Sequence, residues 1–306
     1  MLKKTITSYQ LLITVDQTTM TSQVHPSEST ETPDLRILPL DLLVEHEYND
    51  AQRTAPLAER LKAEGLLKNP PIVAPFDAEH DPRFVVLDGA NRTTALHMLG
   101  YTCALVQVVD YDDPPVTLTT WHHVVTGIGL DDYTAGLRDI DGLDLAPMDL
   151  QQARAGLARR ELLAYTICAN GHVYAARAKT RDLHHQNALL NAIVDTYKTR
   201  GRLYRARADH LPEARRLYPD LTGLMIFPRY EASEVIDLAR DGELLPTGLT
   251  RHLIRGRVLR TNYPLSELSA PNSMDEKNER LHDWLTRKFS SKEIRFYGEA
   301  TFLFDE

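Results

Sequence analysis

The sequence predicts an α/β first half joined to an α+β second half. Short apolar runs at 72–74, 84–87 and 103–109 are separated by helix-like segments, the alternation of α/β units. After Asp112-Asp113-Pro114-Pro115 that regularity is lost, and hairpin and long-helix signals mix. The composition is that of a folded protein: 306 residues, 42% hydrophobic and 25% charged, fit about two domains.

Taken in order, residues 1–34 read as a disordered leader. The stretch QTTMTSQVHPSESTETPD is polar and nearly free of large apolar side chains, so it cannot offset its ordering entropy. The start, MLKKTITSYQLLITVDQ, has an apolar patch broken by Tyr9 and Gln10 and no small-residue cleavage site, so it is not read as a signal peptide. Structure begins at Leu35 with LRILPLDLLV. TAPLAERLKAEG is a helix with Leu57 and Leu61 on one face and Gly65 as its stop. LKNPP leads into a strand at Ile72–Ala74, FVVLD is a second strand, RTTALHMLG a second helix and CALVQVVDY a buried third strand. The first domain is therefore 35–115.

The second domain, 116–306, is α+β. VTLTTWHHVVTGI reads as a strand and PMDLQQARAGLARREL as an amphipathic helix. ICANGHVYAARA is a hairpin turning at Asn170-Gly171. LHHQNALLNAIVDTYKTRG is a helix stopped at Gly201, and EASEVIDLARDG a helix ended by Gly242. RGRVLRTNYPLSEL reads as a strand followed by a turn.

Charge and cysteine usage narrow the function classes. A formal net charge of −8 repels DNA phosphates, so nucleic acid is disfavoured as a partner. No run approaches the roughly 18 apolar residues of a membrane span. Cys103 and Cys168 sit in apolar stretches and read as small core residues, as in a reducing cytoplasm. His122-His123 and His184-His185 are adjacent pairs without partners at zinc-like spacing, so no zinc site is read there. KTRGRLYRAR, at 198–207, reads as a solvated basic face.

FVVLDGANRTTALHMLGY, residues 84–101, is the segment richest in chemistry. A glycine after a strand allows a turn that a side chain would block. The next helix starts near Ala90 to Thr93, and its free N–H groups make an anion site. Arg92 adds a planar, permanently charged donor suited to phosphate. Asp88 suits either a divalent cation or the helix cap. On these residues alone, a phosphate site and a plainly capped strand–turn–helix both stand.

LDGANRTTALHMLGY resembles the DGxxR box of the ParB/sulfiredoxin superfamily, and LKNPPIV resembles the strand before that box. More specifically, the chain resembles the free L-serine kinases built on this fold, which include archaeal ADP-dependent enzymes and a bacterial enzyme of siderophore biosynthesis. Val44-Glu45-His46-Glu47, LKNPPIV, VVLDGANRTTALHMLGY with VVDY, and LPTGLTRHLI with GRVLRTNYPLSEL carry the likeness. Many relatives have Asp-Gly-His-His-Arg, where this chain has Ala90 and Asn91.

The resemblance implies a ParB/sulfiredoxin-like nucleotide-binding domain followed by a substrate domain. It implies ADP or ATP as phosphoryl donor, Mg²⁺, and free L-serine as the small-molecule substrate. Glu47 matches the catalytic base, with Glu45 the competing carboxylate. Asp88 matches a catalytic, magnesium-associated carboxylate. Asp88, Gly89, Ala90, Asn91, Arg92 and Thr93 match the phosphate-holding turn, and Lys68 and Asn69 lie where nucleotide is contacted. Thr250, Arg251 and His252 match the serine-recognising segment, with His46 and Trp121 beside the amino acid. The carboxylate suits the task, since phosphoryl transfer to a hydroxyl needs a proton acceptor and in-line positioning. Two other readings share the box: a ParB-like nucleotide-sensing DNA-binding or regulatory protein, and a catalytically dead binder of a phosphorylated metabolite.

Overall fold

The computed structural model describes residues 32–49, 51–77, 79–111 and 116–296. The leader up to residue 31 and the Asp112–Pro115 boundary lie outside the described residues.

The first half runs β1 (Leu35–Pro39), a short 3-10 turn at Leu40–Leu42, β2 (Leu43–Glu45), α1 (Ala51–Glu64) and β3 (Leu66–Leu67). It continues through β4 (Ile72–Asp77), β5 (Asp81–Asp88), α2 (Ala90–Met98) and β6 (Cys103–Val108). These strands make a five-stranded sheet in the order β1-β6-β4-β5-β2. The sheet is mixed: β2/β5 and β4/β6 are parallel, β1/β6 and β4/β5 antiparallel. A helix between successive strands does not make a parallel sheet here, because antiparallel and parallel pairs alternate across it.

Strand β5 explains why FVVLD reads as a continuous apolar run. Side chains alternate faces along a strand. Val86 packs on one side with Ala58, Leu61, Ala95 and Leu96, beneath α1 and α2. Val85 and Leu87 point the other way, into a cluster with Val125, Leu190, Leu245 and Leu249 from the second half. Both faces of the sheet are thus covered, and no polar face is left for solvent.

The second half opens with β7 (Val116–Thr120) and β8 (His122–Thr126), then α3 (Leu130–Arg138), β9 (Leu143–Pro147), α4 (Leu150–Ala158), β10 (Ala164–Cys168) and β11 (Val173–Ala178). After these come α5 (Leu183–Lys198), β12 (Arg202–Ala206), α6 (Leu211–Leu217), β13 (Leu221–Ile226) and α7 (Ala232–Arg240). An antiparallel six-stranded sheet follows the order β12-β8-β13-β10-β11-β9. The chain ends its described part with β14 (Thr250–Ile254), β15 (Tyr263–Pro264), α8 (Leu265–Ser269) and α9 (Met274–Ser290).

Several expectations meet the structure directly. The hairpin at Asn170-Gly171 is formed by β10 and β11, with Gly171 at φ 86°. Cys103 and Cys168 are both buried and free. VTLTTWHHVVTGI is two strands in different sheets: β7 pairs with β14, β8 joins the six-stranded sheet, and Trp121 stands at the break. RGRVLRTNYPLSEL is not a long strand. Gly256, Arg260 and Asn262 all have positive φ and break any extended run, and the apolar end forms α8. The strand of this region lies earlier, in TRHLI. KTRGRLYRAR ends α5 and forms β12, the edge of the six-stranded sheet.

Candidate active site

Glu45 lies opposite Val86 in the parallel β2/β5 pair, so both strands leave the sheet at the same edge. The carboxyl ends of parallel strands are where ligands of α/β sheets gather. β2 runs on into His46 and Glu47, and β5 ends at Asp88 before Gly89.

Gly89 caps α2 at φ 104°, a conformation that only glycine adopts readily. A Cβ there would stand 2.8 Å from Arg92 Nη2 and 3.0 Å from the Pro71 Cα. Arg92 folds back over the turn, donating from Nη2 to Asp88 Oδ2 at 2.7 Å and from Nη1 to the Asn69 carbonyl at 3.2 Å. Arg257, in the segment after β14, donates to the same Asp88 oxygen. Burial pushes the Asp88 carboxyl up, but Arg92 and Arg257 together outweigh it and hold it below its ordinary value. Asn91 Oδ1 accepts from the Thr54 hydroxyl at 3.1 Å. The Thr93 hydroxyl donates to the Ala90 carbonyl, while that of Thr94 lies 2.7 Å from Glu45 Oε1. Glu45 is therefore engaged with α2. The outcome is two guanidiniums gathered at a helix N-terminus, a strongly anion-attracting end.

The neighbouring segment is braced from the end of the chain. Lys68 is exposed and pairs with Glu64 at 2.9 Å. Asn69 Oδ1 accepts from the Arg260 N–H at 2.8 Å, and Tyr263 pairs with Leu67.

Glu47 sits in a different frame. The strip around it pairs with Leu245, with Tyr48 N–H donating to the Leu245 carbonyl at 3.0 Å. Its Oε2 accepts from Gly248 N–H at 2.9 Å. Its Oε1 accepts from the Thr250 N–H and from the Thr250 hydroxyl, the latter at 2.5 Å. A carboxylate offers about four acceptor positions, so three donors leave room for one more. His46, 5% exposed, lies 2.6 Å from the Val86 carbonyl through Nδ1 and 2.7 Å from Thr250 Oγ1 through Nε2.

The serine-recognising segment divides. Thr250 is buried against Glu47. His252 packs edge-on to His46, 5.3 Å between ring centroids, and its Nε2 lies 2.7 Å from the Tyr111 hydroxyl. Burial, reinforced by His46 and opposed by a hydrogen bond to the Leu87 carbonyl, holds the His252 pKa well below the ordinary histidine range. His252 therefore braces the site as a neutral ring. Arg251 alone points elsewhere: its guanidinium lies 4.6 Å from the Trp121 ring centre, a cation–π distance. Burial and then Arg207 push the Arg251 pKa down.

Arg205, in β12, would meet a Cβ placed on Gly248, so its guanidinium lies against the turn that caps Glu47. Lys198 donates to the Thr247 hydroxyl at 3.3 Å. The basic run at 198–207 thus borders the candidate site, whereas the sequence predicts only a solvated face. Arg205, Arg257 and Tyr111 were missed as site residues. The crowding of KTRGRLYRAR was the available signal for Arg205.

The donor set at Asp88 bears on magnesium. Mg²⁺ takes oxygen ligands in octahedral geometry. Among the described residues no group of three or more His, Cys, Asp or Glu side chains converges, and the Asp88 oxygen already faces two guanidiniums. Two cations at one oxygen oppose a third. The residues do not fit a metal held by the protein alone, and Asp88 acts as an arginine holder.

No family model matches the chain. The ATP-dependent L-serine kinase SbnI of Staphylococcus aureus is 25% identical over 279 residues, 89% of this chain and 97% of that protein. An ATP-dependent L-serine kinase of Staphylothermus marinus is 32% identical over 91 residues, 30% of this chain and 35% of that one. Among solved structures, C-terminally truncated SbnI superposes with a TM-score of 0.67 at 22% identity, covering 83% of this chain and 97% of that one. A free serine kinase in complex with AMP gives 0.64 at 19% identity, covering 78% and 95%. The chain is thus a relative, along nearly its whole length, of a protein named as an L-serine kinase, and it has the fold of the solved free serine kinases.

Proposed function

We propose that this chain is a kinase that transfers a phosphoryl group from a nucleotide to free L-serine, giving O-phospho-L-serine. The observation that carries it is the shared edge of β2 and β5, with Glu47 beyond one strand and the arginine-lined α2 N-terminus beyond the other. The similarity to SbnI over 97% of that protein supports the same reading. Among the described residues no feature favours the DNA-binding alternative.

The nucleotide phosphates bind at Gly89–Thr93, with Arg92 and Arg257 drawn partly from Asp88 toward phosphoryl oxygens. Lys68 and Asn69 border this end of the site. Charge spread over the transferred group is met by the helix donors and by the two guanidiniums turning from Asp88. Glu47 accepts the serine hydroxyl proton through its remaining acceptor position. The amino acid lies beside Glu47, with Arg251 drawn from the Trp121 ring toward its carboxylate. Mg²⁺ accompanies the nucleotide as a counter-ion to its phosphates. ATP is the donor in the names of the relatives and is the expected donor here. The two buried free cysteines and the nucleotide donor support a cytoplasmic setting, and among the described residues no helix is long and apolar enough to cross a membrane.

The test incubates purified protein with Mg²⁺, L-serine and ATP or ADP, and follows O-phosphoserine by mass spectrometry. Product with ATP is expected. Folded protein that makes none with either nucleotide overturns the proposal. Glu47→Gln is expected to lower kcat by about 10²–10⁴-fold, the usual worth of a general base. Nucleotide affinity measured by calorimetry should change little, because Glu47 lies in the other frame.

A further inference from the structure

Glu47 holds its donors unevenly. Oε1 takes both the N–H and the hydroxyl of Thr250, whereas Oε2 takes the Gly248 N–H, at 2.9 Å. Each carboxylate oxygen accepts about two hydrogen bonds, so the open position is on Oε2. A substrate hydroxyl therefore meets Glu47 on the side of Gly248. What stands around that glycine decides what the rest of the substrate meets.

Arg205 stands there. Gly248 has φ 73°, and a Cβ on it would collide with Arg205 Nε and lie 3.1 Å from Cζ and Nη2. The left-handed backbone and the guanidinium laid against it both call for glycine. The face of β12 that carries Arg205 is fixed by its neighbours. Leu203, two residues earlier, packs into the cluster of Leu245 and Leu249, which bracket the turn that holds Gly248. Tyr204 and Ala206 point the other way, Tyr204 onto Tyr218 with 4.9 Å between ring centres, and Ala206 into the cluster of Val124 and Leu224. Arg205 is exposed, so a small molecule can reach it from solvent. Among the described residues, Arg205, Arg207 and Arg251 form no ion pair with an acidic side chain. Asp209, the nearest acid in sequence, faces Arg154 and His210. Arg207, just past β12, adds to burial in lowering the Arg251 pKa, so these two cations lie close enough to repel. Guanidiniums without carboxylates, gathered beside an open acceptor position, complement an anionic group on the molecule that brings the hydroxyl.

We propose that Arg205 binds the α-carboxylate of the amino acid and makes the enzyme selective for hydroxy compounds that carry a free carboxylate. This rests on the kinase reading, with Glu47 as the base. In serine the hydroxyl and the carboxylate are borne by adjacent carbons, so a hydroxyl held on Oε2 keeps the carboxylate close to the Gly248 turn. The α-ammonium is repelled by the same cation and turns away. The guanidinium presents paired N–H groups to the two carboxylate oxygens. Arg251 approaches that carboxylate from the Trp121 side and Arg205 from the Gly248 side. A serine residue inside a peptide has no free α-carboxylate, and ethanolamine has none at all. Both lose the contact that Arg205 supplies.

The test compares L-serine with L-serinamide, in which a neutral amide replaces the carboxylate, on the full chain with Mg²⁺ and ATP. Wild type is expected to favour serine by about 10²-fold in kcat/KM, the scale of hydrogen bonds to a charged group. Arg205→Ala is expected to raise the serine KM by about 10- to 100-fold, and to leave kcat and the ATP KM within about threefold. It should also shrink the serine-to-serinamide ratio to within about tenfold. Arg205→Lys keeps the charge but not the fork and should fall between wild type and Arg205→Ala. Should Arg205→Ala fail to fold, by circular dichroism, Arg205→Gln decides. An unchanged ratio, or one that collapses only in Arg251→Ala, overturns the role of Arg205 and leaves the kinase reading standing. A loss confined to kcat or to the ATP KM places Arg205 on the phosphoryl group and overturns it too. Absence of wild-type turnover with serine overturns the kinase reading, and this proposal with it.

Discussion

At the scale of single residues, the box turn depends on one backbone conformation. Gly89 sits at φ 104°, and the guanidinium of Arg92 occupies the space a side chain would need. Gly89→Ala therefore meets two penalties, left-handed backbone strain and a displaced arginine. We expect it to lower stability by about 1–3 kcal/mol, read as a shift of the urea midpoint, and to weaken nucleotide binding. Unchanged stability would mean that the turn is not held as described. Ala90 and Asn91 leave this device intact. Ala90 contributes its carbonyl to the Thr93 hydroxyl, and Asn91 accepts from Thr54.

At the scale of elements, α9 is the largest feature without a sequence forecast. Its signals were present: Ser273 and Glu276 form a reciprocal capping box, and Met274, Leu281, Trp284 and Leu285 fall on one face. Lys277 occupies an apolar position of that face and hid the stripe. It is buried, with Nζ donating to the Leu268 carbonyl at 2.6 Å. α9 also covers the outer edge of β1, where Asn278 bonds both the N–H and the carbonyl of Ile37, at 2.8 and 3.0 Å. An uncovered strand edge invites pairing with other chains. Leu281→Ala should remove about 2–5 kcal/mol, measured by denaturant unfolding. An effect below 0.5 kcal/mol would show that α9 is not part of the core. By contrast, β5, α2 and the β10–β11 hairpin were legible, because local period and turn chemistry agree with the final packing. β12 was not, because an exposed basic strand and a basic loop look alike until their neighbours are known.

At the scale of the whole molecule, buried histidines set an acid limit. Burial lowers His122 to about 4 and His123 to about 3, and it holds His252 well below its ordinary 6.5. Each is neutral when folded and free to protonate when unfolded. The unfolded chain therefore binds more protons once the pH drops below about 6.5, and stability falls as pH falls from there toward 3. Asp88 adds a later loss: its depressed carboxyl stabilises above its ordinary 3.8 and loses that contribution as pH drops below it. Unfolding free energy measured between pH 7 and pH 4 should decline steadily; a flat profile would contradict burial of these neutral rings. Sequence alone read the histidine pair at 122–123 only as lacking metal partners. The two-strand break at Trp121, which buries His123 between β12 and β13, depends on contacts far along the chain.

The donors that hold Glu47 come from Gly248 and Thr250, 201 and 203 residues later in the chain. Arg257, which completes the anion-attracting end at Asp88, comes from that same late stretch. During synthesis, a growing polypeptide therefore lacks both the donors that orient Glu47 and one of the two guanidiniums at Asp88 until that stretch has been made. Turnover becomes a report that the last third of the translation product has arrived and closed onto the first.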